Sequence, residues 1–179
     1  MLPHMLAILH QFPFSAQRPG VSHLSVQPVS WNEPTILERR FIPGVSPETA
    51  VAVAADLLHD DYAYIFEADW DLWTLESSNA QWSLAPNRVR FIAQGANFDE
   101  RASETTGHVE IDFGLDTVFL QEQAKLDSNA EERVRSNVHK LIEFTNNVEK
   151  NARANGRLLW SDSEDNLAQK LIARLQKVQ

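Results

Sequence analysis

The chain has no cysteine. That single absence removes disulfides, thiolate metal sites, iron-sulfur clusters and a cysteine nucleophile, and it suits a reducing cytoplasm, the expected location. Long apolar runs are missing too. The N-terminal one extends only from Met5 to Leu9, bracketed by Pro3 and Pro13 with no Lys or Arg ahead of it, so a signal peptide is not expected. No stretch reaches the ~20 apolar residues of a membrane-spanning helix, so a soluble protein with no membrane partner is expected. Glycine numbers 6, and neither G-x-x-x-x-G-K nor G-x-G-x-x-G occurs among the residues around them. Ser25, Ser30, Ser77 and Ser103 lie in no G-x-S-x-G context, and zinc-binding histidine helices are lacking.

Basic residues are also short, at 16 against 25 acidic ones, for a net charge of -9. The deficit is uneven. Residues 1–60 carry a balance of -2, residues 61–126 of -8 and residues 127–179 of +1. An acidic surface repels phosphate backbones, so no nucleic-acid partner is expected; it favours cations or a protein with a basic surface, and solubility alone is the preferred account of it. What remains is ordinary globular material, 43% hydrophobic and 23% charged over 179 residues, enough for one domain spanning 1–179.

The stretch Tyr62 to Trp73 has the clearest pattern. Tyr62, Tyr64, Phe66, Trp70 and Leu72 alternate with Glu67, Asp69 and Asp71, the period of two of a strand with one buried face. Around it, a strand is expected within Met1–Phe14, an edge strand or irregular segment over Val21–Trp31 where Pro28 interrupts the alternation, and a strand over Thr35–Ile42 up to Pro43-Gly44. Three more are expected at Asn79–Leu84, Arg88–Gln94 and His108–Phe113, with a turn near Pro86-Asn87. Ser46-Pro47-Glu48 starts a helix running to about Leu58. The long loop Gly95–Thr106 is pinned by Phe98, and Thr117–Lys125 forms a short helical or irregular connection.

Ser128 to Glu131 has the S-x-x-E capping form, and Val134, Val138, Leu141, Thr145 and Val148 give a helix of about six turns ending near Asn155-Gly156. Arg157–Trp160 is expected as an added strand or extended link. A second capping form, Ser161 to Glu164, opens a terminal helix with Leu167, Leu171, Leu175 and Val178 on one face and Lys170, Arg174 and Lys177 on the other. The fold class is therefore α+β: an antiparallel meander sheet of about five to seven strands packed against helices, including a long helix in the C-terminal half and a terminal amphipathic helix.

Chemistry would reside in two polar strand faces, Glu67, Asp69 and Asp71 on one and His108, Glu110 and Asp112 on the other. If those strands are neighbours, carboxylates and an imidazole converge in the manner of a hard divalent-cation site or an acid-base pair. The same residues, facing Arg88 and Arg90, also make an ordinary ladder of opposite charges across a sheet. Whether a cation binds is left open, and no cofactor or catalytic residue is assigned. Trp73 falls on the acidic side, where an exposed indole would mark a contact surface. The other aromatics, Trp31, Tyr62, Tyr64, Trp70 and Trp82, are read as core rather than as the lining of a ligand pocket.

His59, Asp60 and Asp61 read as a solvated helix end, and His139 as a boundary residue of the long helix. Asp112-Phe113-Gly114 is a DFG tripeptide, but without a glycine-rich or catalytic loop it carries no kinase implication. The expectation is a non-catalytic soluble binding or adaptor protein that uses the acidic sheet face or the terminal helix, the latter with a possible homodimer in view. The alternatives are a divalent-metal- or carboxylate-dependent hydrolase and a carrier of small hydrophobic ligands.

Overall fold

In the computed structural model, residues 1–76, 81–121, 126–152, 154, 156, 158–161 and 166–176 are described. The first element departs from expectation. Residues Leu2–Leu9 form a helix, α1, with proline in its first turn and Leu2, Met5, Ile8 and Leu9 buried. Pro3 is a helix starter here because the first turn needs no N–H from it, and the buried residues recur at helical rather than alternating spacing.

Gly20, at φ +80°, admits the chain to β1, Val21–Pro28; a Cβ there would stand 2.4 Å from the Val45 carbonyl oxygen, so only glycine fits. β2, Leu37–Val45, pairs antiparallel with β1 and runs on through Pro43-Gly44, which were expected to end it. Proline is tolerated because β2 is the sheet edge. β1, expected as an edge strand or an irregular segment, lies one strand in, and its Pro28 is harmless as the last residue.

The helix α2, Pro47–Ala55, begins as anticipated: Ser46 accepts a hydrogen bond from the Thr49 N–H at 3.2 Å. It ends three residues short of Leu58. Because β1 is antiparallel to both β2 and β3, those two run parallel, and α2 supplies the crossover that parallel strands require.

β3, Tyr62–Leu75, is the middle strand of five in the order β2-β1-β3-β4-β5. Tyr64 anchors its start: its hydroxyl donates to the Leu57 carbonyl and accepts from the His59 N–H, each at 2.8 Å. Burial pushes the Tyr64 phenol above its ordinary 10.0, outweighing the His59 bond that pulls it down. The unfolded chain releases this proton at its ordinary value and the folded chain later. Stability from Tyr64 is thus complete below pH 10.0 and is lost as pH rises through the folded value. Denaturant melts from about pH 8 to about pH 11 should therefore show a steeper alkaline loss in wild type than in Tyr64→Phe; equal slopes would refute the assignment.

The two strands expected on either side of Pro86-Asn87 are one, β4, Trp82–Gln94. β5, Val109–Asp112, pairs only with Arg90–Ala93, so Pro86 sits where β4 is not flanked by β5 and its missing N–H can face away from the ladder. Asn79 and Ala80 lie outside the described residues. Between β4 and β5 the chain makes a 3-10 turn, Phe98–Arg101, and a short helix α3, Ser103–Thr106. Phe98 is fully buried and meets the Trp31 ring edge-on at 4.8 Å, which is the pinning role expected of it.

After β5 come α4, Thr117–Leu120, α5, Ser128–Asn151, and α6, Leu167–Gln176. Asp127, not Ser128, caps α5, its carboxylate accepting from the Ala130 N–H at 2.8 Å. Glu131 is thereby free of the capping box and instead pairs with Arg174 of α6 at 2.8 Å. Arg174 also donates to the Leu120 carbonyl, so it belongs to the packed side of α6 and not to the outer face assigned to it. Leu158–Trp160 adopts neither helix nor strand. Residues 122–125, the second capping form beyond Ser161, Asn155, Arg157, Lys177 and Val178 lie outside the described residues.

By internal packing the chain forms two compact units, Met1–Trp70 with Pro86–Gly114, and Asp71–Ala85 with Leu115–Gln179. In the first, Phe12 packs against Trp70 and Phe91 at 5.5 and 4.9 Å, and Phe113 stacks on Trp70 at 5.5 Å. In the second, α5 buries Ala130, Val134, Val138, Leu141 and Phe144, and α6 adds Leu167 and Leu171. Among the described residues no helix is long and apolar enough to cross a membrane.

Candidate functional site

The two carboxylate sets do not converge. β4 lies between β3 and β5, which puts them two strand spacings, about 9.5 Å, apart. Each set has instead found cations on the intervening strand. Arg88 donates from Nη1 to Glu67 Oε2 at 2.6 Å and from Nε to Asp69 Oδ1 at 3.2 Å, while Arg90 Nη1 lies 3.8 Å from Asp112 Oδ2.

Asp69 is far from the solvated face that its alternation implied, with a side chain only 3% exposed. Its strand is central, and Ala63 and Ile65 on the same side are buried too. Arg18 Nη1 stands 3.8 Å from Asp69 Oδ2, which has no hydrogen-bond partner among the described residues. His23, opposite Glu67 in register, sits 3.9 Å from that carboxylate and 3.4 Å from Glu38. Burial would lower the Arg88 guanidinium, but its hydrogen bond to Asp69 and the charges of Asp69 and Glu67 raise it further, fixing it as a cation.

On the outer strand, Asp112 accepts from the Gly114 N–H at 2.8 Å, Glu110 stands half-buried opposite Ile92, and His108 is exposed just before β5 with Nδ1 3.3 Å from the Gln94 carbonyl. Among the described residues no group of three His, Asp or Glu is placed to hold a metal ion. His59 and Asp61 hydrogen-bond at the mouth of an open recess of about 440 Å³ that Asp60 and Asn97 also line.

Asp71 and Trp73 belong to the second unit and serve its packing. β1 stops pairing with β3 at the Val21–Ala68 pair, which leaves the carbonyls of Asp69, Asp71 and Trp73 without a strand partner. Ser15 N–H takes the first at 2.7 Å, Lys140 Nζ the second at 2.7 Å and Asn137 Nδ2 the third at 2.8 Å. Asn137 also accepts from the Trp73 N–H at 2.9 Å and donates to the Val118 carbonyl at 2.7 Å. Trp73 is half-buried rather than exposed, with the Arg133 guanidinium 5.0 Å from its ring and 6.0 Å from that of Trp82.

Neither a protein-family model, nor a characterised protein sequence, nor a solved structure matches this chain. The site must be judged on its own geometry.

Sequence reasoning missed Arg18, His23, Arg133 and Asn137. One signal was available: Asn137 is the polar member of the stripe Val134, Asn137, Val138 and Leu141, and a buried amide in such a stripe has backbone groups to satisfy. It also passed over Leu158 and Trp160. These are 85% and 58% exposed, and Leu159 and Trp160 border an open recess of about 350 Å³ shared with Leu167 and Gln169 of α6.

Proposed function

We propose that this is a non-catalytic binding or adaptor protein whose contact surface is the stretch Leu158–Trp160 together with α6. The observation that carries the reading is the exposure of Leu158 and Trp160, side chains whose apolar area gains about 25 cal/mol per Å² when covered. Contiguous exposed apolar residues mark interaction surfaces more often than single ones do.

The acidic strand faces support a contact role less well. Glu67, Asp69 and Asp112 are occupied by arginines of their own chain, and a basic partner would have to displace those. The same pairing weighs against a metal-dependent hydrolase. A thermal melt with millimolar Mg, Mn, Ca or Zn tests the reading. An ion present at 100 times its dissociation constant would add about 2.7 kcal/mol, so the binding role expects no shift. A clear rise with one ion, absent in Asp69→Asn, would overturn it in favour of the hydrolase.

A further inference from the structure

We infer that the recess beside His59 is a second binding site, which takes a small organic cation rich in N–H donors, an amine or a guanidinium. The recess, of about 440 Å³, is lined by Leu58, His59, Asp60, Asp61 and Asn97. Asp61 accepts from His59 Nδ1, and the imidazole stacks on the Tyr62 ring at 4.8 Å. The ring is thereby held in place, and in its neutral form it offers Nε2 as an acceptor. Asp60, the second oxygen of Asp61 and the Asn97 carboxamide oxygen are acceptors as well. Among the described residues none of these groups, nor Nε2, has a hydrogen-bond or ion-pair partner. The carboxylates and the imidazole do not meet at one point, as a metal ion would require, so a ligand with several spaced donors suits them.

The charge here is uncompensated. On the sheet, Glu67, Asp69 and Asp112 each have an arginine. At the recess, α2 ends at Ala55 with no basic residue in its last turn and with Asp56 as its C-cap. A helix C-terminus favours cations, so Asp56, Asp60 and Asp61 crowd negative charge where the dipole already disfavours it. Arg101, four residues beyond Asn97, pairs instead with Glu104 at 3.6 Å. A bound cation relieves this repulsion. The lining is also ordered in advance. The Val29 N–H donates to the Asp61 carbonyl at 2.7 Å and the Asn97 N–H to the Asp60 carbonyl at 2.8 Å, while a Cβ on Gly95 would collide with that same Asp60 oxygen. Val29, although β-branched, is held at φ +57°, a costly conformation that persists only where its surroundings dictate it. Walls fixed in this way lose little freedom when a ligand binds.

An NMR titration of the purified full chain with agmatine, which carries both an amine and a guanidinium, is the test. The variants are Asp60→Asn, Asn97→Ala and Glu132→Gln, the last removing one negative charge from α5. All three positions are exposed, so each variant should keep the wild-type circular dichroism. In wild type the amide signals of His59, Asp60, Asp61 and Asn97 should shift and saturate with a Kd of roughly 0.1 to 1 mM. Asp60→Asn should weaken binding about tenfold and Asn97→Ala about threefold, whereas Glu132→Gln should stay within about twofold. Tetramethylammonium, a cation without N–H donors, should bind at least about tenfold more weakly than agmatine. Nα-acetylarginine methylamide distinguishes the sources: if it binds more tightly than agmatine the cation is a peptide side chain, and if more weakly it is a free amine or guanidine. The absence of saturating shifts at these residues up to about 20 mM agmatine overturns the inference. So does tetramethylammonium binding as well as agmatine, or Glu132→Gln weakening it as much as Asp60→Asn.

Discussion

Replacing Asn137 by leucine is expected to remove about 3 kcal/mol of stability. One amide satisfies three main-chain groups, the N–H and carbonyl of Trp73 and the carbonyl of Val118, from a side chain that is almost wholly buried. Leucine has the same number of side-chain heavy atoms and a larger volume, so it leaves no cavity, and the cost is at least that of orphaned backbone groups, about 1 kcal/mol or more for each. In a chain of this size that is a fall in melting temperature of roughly 10 °C. Ser136→Ala, one residue away on the exposed side, should stay within about 0.5 kcal/mol. If urea melts place Asn137→Leu within about 1 kcal/mol of wild type, water or a shifted helix is replacing the amide and the account fails.

The second large effect is expected at Arg88. Arg88→Met keeps the stem of the side chain and deletes the cation that serves Glu67 and Asp69, leaving Asp69 buried with the more distant Arg18 as its remaining cation among the described residues. Breaking a fully buried ion pair costs about 3 to 5 kcal/mol; Arg88 is 48% exposed and solvent screens it, so about 2 kcal/mol is the expected loss.

The distinguishing measurement is the double variant Arg88→Met with Asp69→Leu. Apolar replacement of both partners removes the desolvation cost along with the attraction, so the double variant should recover most of the loss. Losses that simply add would mean that the two residues are independent and that Asp69 is stabilised from elsewhere.

Much of the fold follows from local chemistry that a sequence displays. The strand over Tyr62–Trp73, which the structure extends to Leu75, reads from alternation, α2 from Ser46 and Pro47, and α5 from the spacing of Val134, Val138 and Leu141, because each is set by side chains within a few turns of one another. Local signals also misled where two elements satisfy the same residues. Pro3 between short apolar runs suits a strand edge or a helix start, and only the burial of Leu2, Met5, Ile8 and Leu9 chooses the helix. Pro43 and Pro86 look like strand ends until the sheet order shows that β2 is an edge and that β4 is not flanked by β5 at Pro86.

The site was decided by tertiary structure alone. Glu67, Asp69, Asp71, Trp73, His108, Glu110 and Asp112 were identifiable as polar or aromatic positions on strands, and their types and alternation are all that a sequence contains. Whether they form a cation site depends on which strand lies between them. With β4 interposed, Arg88 pairs with Glu67 and Asp69 and Arg90 with Asp112, and Asp69 is buried rather than offered to solvent. Nor could local pattern show that Asn137, 64 residues from Trp73, completes a strand edge, because that bond exists only once a helix has packed there. Periodicity reports which side of an element is apolar; what that side meets is settled by contacts between residues far apart in the chain.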